Sequence, residues 1–576
     1  MKFATSPVLE LQLPTWRSRL LIGLFFAAFC GLGARAVWLQ GMNKEFLQQK
    51  GESRYSRVIE ISANRGKITD RNGEILAIST PVKSVWAIPE AAQPTPTQLA
   101  RLSALLEMPP QEIRKKLAET ERDFVYIKRQ LPPETADKVA ELQIPGLFQR
   151  REYRRYYPGG EVMAHMLGFT GVDETGQEGI ELAFQGQLAG KAGSRRVIKD
   201  RRGQIVEDME SIKVAQEGRN VTLALDAKIQ SIAFTQLKAA IDQHKAKAGG
   251  IVVLDVKTGE VLALANLPTY NPNNRTRLTG AQLRNRAVTD SFEPGSTLKP
   301  FTVALALDSG KLGPQSMIQT APGSLTIGSA TIRDAHAEGM LTVEQVIQKS
   351  SNVGAAKIAL SMSAESMAGL FANVGFGAPP KTGFPGEVGG KVRPYKTWRP
   401  IEQATMSYGH GIAVSLLQLA RAYSLFTRDG ELVPLSLTRV DGPVVAKPVI
   451  SAQTARQMRH MLEMAVSPGG TAPRAQIMGY RVGGKTGTAH KQENGGYAAH
   501  KYVSSFVGFA PVSDPRLVIA VMIDEPSAGQ YYGGQVAAPV FAGVMAGALR
   551  RLEVAHDAPM KAIELPAEGQ EVKESI

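Results

Sequence analysis

The longest apolar run lies near the start of the chain. Residues 20–34 carry no charge, two arginines precede them, and the apolar character continues past Arg35 to Leu39. About 20 apolar residues cross a bilayer, and an arginine near the end of a span can extend its charge toward the interface. The pattern predicts a transmembrane anchor over residues 20–40. The basic residues before it predict that residues 1–19 are cytoplasmic.

Two other interpretations of this segment compete with a retained anchor. The Ala-x-Ala pattern at 34–36 is typical of a signal-peptide cleavage site. The single cysteine of the chain, Cys30, offers a position for a lipid, but Phe29 directly before it is too bulky for the usual lipoprotein processing site. We therefore favour a retained anchor. One cysteine also excludes an intramolecular disulfide.

The pattern after the anchor predicts a mixed region without an obvious reactive group. Residues 46–58 predict a polar helix, and the turn signal at 70–73 lies between two alternating apolar runs that predict a hairpin. A charged helical stretch is expected over 97–142, and strand-like alternation returns over 190–207. No nucleophile paired with a base is evident in residues 41–220, which indicates a non-catalytic spacer or docking domain.

The pattern from residue 221 onward predicts a second, larger fold. Apolar residues recur at helical spacing over 221–244, and two apolar strands flank a turn at 257–260. Helical patterns occupy much of 301–371 and 402–426, and strands return over 480–524. A helical middle flanked by strands from both ends predicts a mainly antiparallel sheet packed with helices. The fold class is therefore multidomain α+β.

Composition limits the classes of function. The chain has 576 residues, enough for several domains, and 43% of them are hydrophobic. The net charge of +14 favours anionic surroundings such as a lipid headgroup surface or nucleic acid, or reflects a generally basic surface. No paired Cys/His finger and no aromatic-rich RNA-binding strand occurs, so nucleic acid is not an expected partner.

One serine is followed by a lysine three residues later. Ser296 and Lys299 follow a Pro-Gly pair, and this spacing places both side chains on one face of a helix. A serine hydroxyl becomes a good nucleophile when a neighbour takes its proton. A lysine can do so once burial and cationic neighbours lower its pKa. The alternative is a capping serine beside an unrelated lysine.

Two further short elements follow in order. Ser350 and Asn352 form a Ser-x-Asn pattern, which supplies a hydroxyl for proton relay and an amide for binding a peptide backbone. Lys-Thr-Gly then occurs three times, beginning at Lys257, Lys381 and Lys485. The first copy lies in a predicted hairpin turn, and prolines around the second oppose a central strand. Only the copy at Lys485 enters a strand-compatible run after the other two elements.

The segment GYRVGGKTGT at 479–488 also fits a phosphate-binding loop, G-x-x-x-x-G-K-[ST]. The apolar run that ends at Asp524 would then supply a carboxylate for Mg²⁺. A phosphate-binding loop must pass its lysine into a helix, whereas the Asn-Gly-Gly at 494–496 marks a hairpin turn. We therefore favour two strands over a nucleotide-binding site.

The three elements in this order resemble the penicillin-recognising serine enzymes. Together with the anchor, RGKITDRNG at 65–73, YYPGGEVMAHMLGF at 156–169 and ALANLPTYNPNN at 263–274, they make nearly the whole chain resemble a class B penicillin-binding protein. The Asn-Pro-Asn-Asn segment at 271–274 and the overall length most resemble those of the cell-division (septal) subtype, which is the FtsI type. Ser351 stands where the Ser-Asp-Asn pattern of this superfamily has aspartate, and class B proteins commonly depart from the pattern at this middle position.

The resemblance implies an organisation along the chain. The expected parts after the anchor are a non-catalytic pedestal or dimerisation-type domain over 41–220, a penicillin-binding transpeptidase domain with the serine β-lactamase-like fold over 221–560, and an acidic, disordered tail over 561–576. The protein would cross the bacterial inner membrane once, with its catalytic domain in the periplasm.

The resemblance also implies roles for the reactive residues. Ser296 would attack the carbonyl of a D-alanyl-D-alanine stem peptide, expel the terminal D-alanine and form an acyl-enzyme. Lys299 would be the base. Ser350 with Lys485 would relay a proton to the leaving amine. An amine of a neighbouring stem peptide would then take the acyl group and close a peptidoglycan crosslink.

Four residues are implied in substrate binding. Asn352 would hold the peptide backbone of the substrate, and the strand with Thr486, Gly487 and Thr488 would line the other side. The two threonines would bind the terminal carboxylate. The backbone N–H groups of Ser296 and Thr488 would form the oxyanion hole. Expected partners are peptidoglycan stem peptides, β-lactam antibiotics, the membrane, a membrane glycosyltransferase and other cell-division proteins, and no metal or other cofactor is expected.

Other functions share some of these elements. A β-lactamase is disfavoured, because no Glu-x-x-x-Asn pattern follows Asn352 and the chain is long and anchored. A D,D-carboxypeptidase passes the acyl group to water and has the same three elements. An elongation-specific class B enzyme is the nearest alternative, and a catalytically idle scaffold is the alternative from another class.

Overall fold

The computed structural model describes residues 14–42, 56–199, 205–493, 496–563, Leu565 and Glu574. The chain divides into two compact units. The smaller unit combines three stretches, Met1–Ala63, Val82–Glu152 and Lys191–Gln216. The larger unit combines the other three, Asn64–Pro81, Tyr153–Gly190 and Glu217–Ile576.

The N-terminal apolar run forms helix α1 (Thr15–Val37), followed by a π-helical turn at Trp38–Met42. The apolar helical segment Thr15–Gln40 is long and apolar enough to cross a membrane. No residue of α1 is buried against protein. The predicted span is thus confirmed as an apolar helix of sufficient length, which begins five residues before the expected residue 20.

Short elements make up the chain between residues 56 and 223. The strands are β1 (Ser56–Ile61), β2 (Ile68–Thr69), β3 (Ile75–Ala87), β4 (Val125–Leu131), β5 (Leu147–Tyr156), β6 (Gly193–Lys199), β7 (Ile205–Lys213) and β8 (Val221–Thr222). The helices are α2 (Pro96–Leu106), α3 (Pro110–Leu117), α4 (Pro133–Ala140), α5 (Ala164–Leu167), α6 (Gly179–Ala183) and α7 (Gln185–Leu188), with a 3₁₀ turn at Gly160–Val162.

The charged stretch over 97–142 departs from its prediction. It forms three helices and strand β4, whose buried Ile127 and Leu131 pack with the helices in one apolar cluster. Each helix begins with a proline at its first position, which suits a helix start and prevents one continuous helix. The turn at 70–73 does join antiparallel strands, β2 and β3, as predicted.

The prediction of a polar helix over 46–58 is wrong for the three residues of this range that the structure describes, 56–58. Residues 46–55 lie outside the described residues, and the remainder belongs to β1. This strand pairs antiparallel with β6, which pairs with β7 to complete a three-stranded sheet in the smaller unit.

The larger unit continues with eleven strands and twelve helices in the described part of the chain. The strands are β9 (Ala248–Asp255), β10 (Val261–Leu267), β11 (Met317–Gln319), β12 (Ser324–Ile327), β13 (Ala330–Arg333), β14 (Met340–Thr342), β15 (Glu431–Leu432), β16 (Lys447–Pro448), β17 (Gly483–Glu493), β18 (Gly496–Ala510) and β19 (Leu517–Asp524). The helices are α8 (Ala227–His244), α9 (Gly280–Leu283), α10 (Arg286–Thr289), α11 (Lys299–Asp308), α12 (Val343–Lys349), α13 (Asn352–Leu360), α14 (Ala364–Asn373), α15 (Pro400–Met406), α16 (Leu416–Thr427), α17 (Ala452–Val466), α18 (Gly533–Val536) and α19 (Ala538–Arg551). Short 3₁₀ turns occur at Gly295–Leu298, Tyr395–Thr397 and Pro473–Ala475.

A five-stranded antiparallel sheet forms the centre of the larger unit, in the order β10-β9-β19-β18-β17. Ile251 and Val253 of β9 pack in a cluster with α8 and α19, whereas Val252 and Leu254 pack in another with α11 and α16. Successive side chains of a strand point to opposite faces, so helices cover both faces of this sheet. This explains why its central strands are continuously apolar, and the predicted fold class is confirmed.

The fold brings three distant segments to one edge of this sheet. Strand β17 is the outermost strand on one side. The 3₁₀ turn Gly295–Leu298, which leads into α11, contacts β17. The junction between α12 and α13 lies against the start of α11. These segments carry the three sequence elements singled out above.

Candidate active site

The predicted nucleophile and base lie together on the turn that enters α11. Ser296 is within the 3₁₀ turn, and Lys299 is the first residue of α11. In a 3₁₀ turn, side chains three residues apart lie above one another. The Nζ atom of Lys299 is 2.8 Å from Ser296 Oγ, and Lys299 is fully buried. The pair is therefore built for proton transfer between hydroxyl and amine.

Two glycines allow this turn to pack closely. Gly295 has φ of +56° and Gly409 has φ of +89°, conformations that side-chain-bearing residues rarely adopt. A Cβ on Gly409 would lie only 2.2 Å from the carbonyl oxygen of Gly295. The backbone beside Ser296 is thus enclosed on one side. On the other side, Tyr423 donates its hydroxyl to the carbonyl of Thr297 at 2.7 Å.

The Ser-x-Asn element forms a tight junction between two helices. Ser350 ends α12 in the left-handed region, with φ of +60°, and Ser351 caps α13. This conformation presents both oxygens of Ser350 to the lysine amine. Lys299 Nζ is 2.5 Å from the Ser350 carbonyl and 3.0 Å from its Oγ. Ser350 thus supplies the second hydroxyl on the Lys299 amine, whereas the resemblance paired Ser350 with Lys485.

Asp334 holds this junction in place. Its Oδ1 accepts from the backbone N–H groups of Asn352 at 2.5 Å and Val353 at 3.0 Å, and its Oδ2 accepts from Ser351 Oγ at 2.6 Å. A carboxylate is favoured at a helix N-terminus, where backbone N–H groups are unpaired. No sequence motif indicated this residue.

Asn352 leaves one polar atom free. Its Nδ2 donates to the carbonyl of Arg333 at 3.2 Å. Its buried Oδ1 has no hydrogen-bond donor in the described part of the chain. A buried acceptor of this kind needs a partner. It is available to a peptide N–H in the cleft.

The third element forms the opposite wall on β17. Lys485 is fully buried, and its Nζ donates to the carbonyl of Thr486 at 3.4 Å and to its Oγ1 at 3.3 Å. No bond from this amine to Ser350 occurs among the described residues. A Cβ on Gly487 would lie 2.6 Å from the carbonyl of Pro294. The strand can therefore approach the nucleophile turn only because residue 487 is glycine.

A carboxylate occupies the outer end of this wall. Glu574 Oε2 accepts from Thr488 Oγ1 at 2.7 Å, and Oε1 accepts from the N–H of Gly534 at 2.8 Å. Thr488 Oγ1 accepts in turn from the N–H of Gly533 at 2.9 Å. No sequence pattern distinguishes Glu574 from the other residues of the acidic tail.

The two buried lysines of the site have different pKa shifts. Burial and the nearby Lys485 cation hold the pKa of Lys299 well below its usual value, opposed by the carboxylates of Asp334 and Glu574. Burial lowers the pKa of Lys485 to about 8, and Glu574 opposes this shift. Lys299 is thus suited to be neutral and to accept a proton while Lys485 stays charged.

One more acidic group borders the nucleophile turn. Glu293 accepts from the N–H of Gly411 at 2.7 Å, from Gln492 Nε2 at 2.8 Å and from the Tyr497 hydroxyl at 3.1 Å. Burial raises its pKa. These contacts join the nucleophile turn to strands β17 and β18. The residue precedes Ser296 by three positions, but no pattern distinguished it.

The alternative of a phosphate-binding loop finds no support in this geometry. Lys485 lies inside β17, which continues as a strand to Glu493. The candidate Mg²⁺ ligand Asp524 ends β19, the neighbour of β9 and β18. The predicted turn residues Asn494 and Gly495 lie outside the described residues, but β17 and β18 pair antiparallel around them.

Two family models match the chain. Residues 249–546 match the penicillin binding protein transpeptidase domain, and residues 60–223 match the penicillin-binding protein dimerisation domain. Among curated relatives, the probable peptidoglycan D,D-transpeptidase PenA of Neisseria meningitidis is 44% identical over 93% of this chain and 92% of its own. Peptidoglycan D,D-transpeptidase FtsI of Escherichia coli is 40% identical over 94% and 93%.

Solved structures agree with the family models. The transpeptidase domain of penicillin-binding protein 3 from Burkholderia pseudomallei has 50% identity and a TM-score of 0.55, covering 58% of this chain and 98% of that one. A Burkholderia ambifaria structure described as a peptidoglycan glycosyltransferase has 49% identity and a TM-score of 0.53, covering 58% and 99%. The chain therefore belongs to the penicillin-binding protein family and carries both its transpeptidase and its dimerisation domain.

Proposed function

We propose that the protein is a peptidoglycan D,D-transpeptidase that crosslinks stem peptides through a Ser296 acyl-enzyme. One observation carries this proposal, the 2.8 Å contact between Ser296 Oγ and the fully buried amine of Lys299. A neutral Lys299 takes the hydroxyl proton as Oγ attacks the penultimate D-alanine carbonyl. The N–H groups of Ser296 and Thr488 stabilise the oxyanion that forms.

The leaving amine then needs a proton. Ser350 Oγ is 3.0 Å from Lys299 Nζ, which supports a relay from the newly protonated lysine through this hydroxyl. The cation of Lys485 stabilises the developing charges. The terminal D-alanine departs, and the amine of a second stem peptide attacks the acyl-enzyme and closes the crosslink. Asn352 Oδ1, which has no donor among the described residues, receives an N–H of the bound peptide.

The strand β17 binds the substrate from the other side. The hydroxyls of Thr486 and Thr488 take the terminal carboxylate, and Gly487 allows the strand to approach the nucleophile turn. The hydrogen bond that Thr488 Oγ1 donates to the buried carboxylate of Glu574 supports this assignment, because a substrate carboxylate offers the same acceptor.

The proposed organisation keeps residues 1–19 in the cytoplasm and 20–40 in the membrane. Residues 41–220 form the pedestal, 221–560 the periplasmic catalytic domain, and 561–576 an acidic tail. Similarity to FtsI over more than nine-tenths of the chain supports a septal role. A membrane glycosyltransferase and other cell-division proteins are the proposed partners, and β-lactams the proposed inhibitors.

The proposal is tested by intact-mass analysis of the detergent-solubilised chain with penicillin. We expect one long-lived adduct, located by proteolysis on the peptide that contains Ser296. Rapid turnover of the drug without an adduct would indicate a β-lactamase. An unmodified protein with unconsumed drug would favour the idle scaffold.

The rate of acylation should depend on pH in a bell-shaped manner. The neutral fraction of Lys299 grows as pH rises, whereas the charged fraction of Lys485 declines through its pKa of about 8. Burial holds the pKa of His410 at about 4, so this group is neutral across the range. In Lys485→Arg the charge persists at high pH, and the alkaline limb should disappear. A rate that keeps rising to pH 10 in the original chain would contradict this assignment.

Asp334 should control the Ser-x-Asn junction without touching substrate. In Asp334→Ala, the N–H groups of Asn352 and Val353 lose their acceptor. We expect acylation about 10-fold slower, because small displacements of positioned groups are costly. Asp334→Asn retains one acceptor oxygen and should stay within about threefold of the original rate. Equal losses in both variants would contradict a positioning role.

A further inference from the structure

A carboxylate of the chain itself fills the pocket proposed for the substrate carboxylate. Glu574 is 3% exposed and accepts hydrogen bonds from Thr488 Oγ1 and from the N–H of Gly534. The hydroxyl of Thr486 also interacts with it, and Lys485 is its principal cationic neighbour. Two hydroxyls, a backbone N–H and a buried ammonium group form a site for one carboxylate.

The contact is specific to the carboxylate rather than a general packing contact. Both of its oxygens are paired with separate donors, at 2.7 Å and 2.8 Å. A Cβ on Gly534 would lie 3.2 Å from Glu574 Oε1, so the absence of a side chain there makes room for the oxygen. Gly533 orients the Thr488 hydroxyl by donating to its oxygen. These groups would serve a C-terminal D-alanine carboxylate equally well.

The contact is also suited to be reversible. Burial raises the pKa of Glu574, although its two hydroxyl donors, its backbone N–H donor and the Lys485 amine all lower it. The ionised carboxylate therefore loses part of the stabilisation that these four groups give it. A ligand whose carboxylate fits the pocket and whose other groups fill the cleft can therefore compete with it.

We propose that Glu574 is an intramolecular competitor for the substrate-carboxylate pocket and restrains acylation of Ser296 until a ligand displaces it. This inference rests on the proposed function, since it requires that the pocket serve a substrate. A ligand that must displace a bound group has its apparent affinity reduced by the fraction of free sites. A displacing ligand puts its own carboxylate in the place of Glu574, so the negative charge that opposes the lowered pKa values of Lys299 and Lys485 is retained at saturation.

The test compares the full chain with Glu574→Ala and with Glu568→Ala, which removes one acidic residue from the same tail. The measurement is stopped-flow acylation by a fluorescent penicillin over a range of concentrations. We expect the second-order rate constant of Glu574→Ala to rise about 3- to 10-fold, with the maximal rate at saturation unchanged. Glu574→Gln, which keeps an acceptor oxygen without the charge, should lie between, and Glu568→Ala should match the original chain.

Each outcome separates the two proposals. If all chains are acylated on Ser296 and the rate of Glu574→Ala is equal or lower, the competitor role is refuted and the proposed function stands. A change in the maximal rate alone would also refute it, because that would reveal a structural effect on the catalytic groups. If no chain is acylated, the proposed function fails and the competitor role fails with it.

Discussion

Replacing Lys299 by methionine is expected to slow acylation by penicillin about 10³-fold or more. The amine is the group within 2.8 Å of Ser296 Oγ that can accept its proton, and it also contacts both oxygens of Ser350. General base catalysis contributes about 10² to 10⁴ in rate. Losing the contact to the second hydroxyl adds to that loss. The measurement is the second-order rate constant of acylation.

The thermal stability of the Lys299→Met variant should not fall together with its acylation rate. Lys299 is fully buried, and enclosing an amine away from water costs free energy that an apolar side chain of similar length does not. We therefore expect the thermal midpoint of Lys299→Met to equal or exceed that of the original chain. The matched control is Lys311→Met, whose exposed amine donates only to the Ser361 carbonyl in the described structure. It should acylate within about twofold of the original rate, as surface changes usually do.

A rate for Lys299→Met within tenfold of the original would mean that another group takes the proton. A lower thermal midpoint together with slow acylation would instead attribute the loss to misfolding. The combination of intact folding and lost acylation is specific to a base. It would also show that the burial of this lysine is maintained for chemistry at a cost in stability.

Local spacing explains why this part of the site could be predicted from sequence. Ser296 and Lys299 are three residues apart, and one helical turn is sufficient to bring them together. The choice of Lys485 among three Lys-Thr-Gly copies depended on strand compatibility. Strand compatibility is again a local property of the sequence, and Lys485 does lie within a strand, β17. The two-faced burial of β9 likewise follows from its continuous apolar run.

Contacts that link distant segments gave no such signal. Asp334 meets Ser351 across 17 positions and Glu574 meets Thr488 across 86. Neither residue belongs to a periodic pattern, so only the folded chain reveals the contact.

Strand β4 was missed for another reason. Its seven residues lie among charged helical segments, and a short alternating run carries less weight than the helical composition around it.

The approach of β17 to the nucleophile turn yields the second large effect, at Gly487. A Cβ there would lie 2.6 Å from the Pro294 carbonyl, 2.6 Å from Ser505 Oγ and 2.9 Å from Thr297 Cγ2. Gly487→Ala must therefore push the strand outward and displace Thr488, whose N–H is proposed to stabilise the oxyanion. A displacement of about 1 Å costs about 10² in rate, so we expect acylation about 100-fold slower.

Two further variants identify the contact responsible. Gly496→Ala adds the same methyl group on the neighbouring strand, where no atom of the described residues lies within 4 Å, and should acylate at the original rate. Ser505→Ala combined with Gly487→Ala removes the flexible neighbour but leaves the Pro294 carbonyl, which cannot move without the nucleophile turn. The double variant should therefore remain slow. Recovery of the rate would mean that the serine side chain, rather than the backbone beside Ser296, sets the distance between strand and nucleophile.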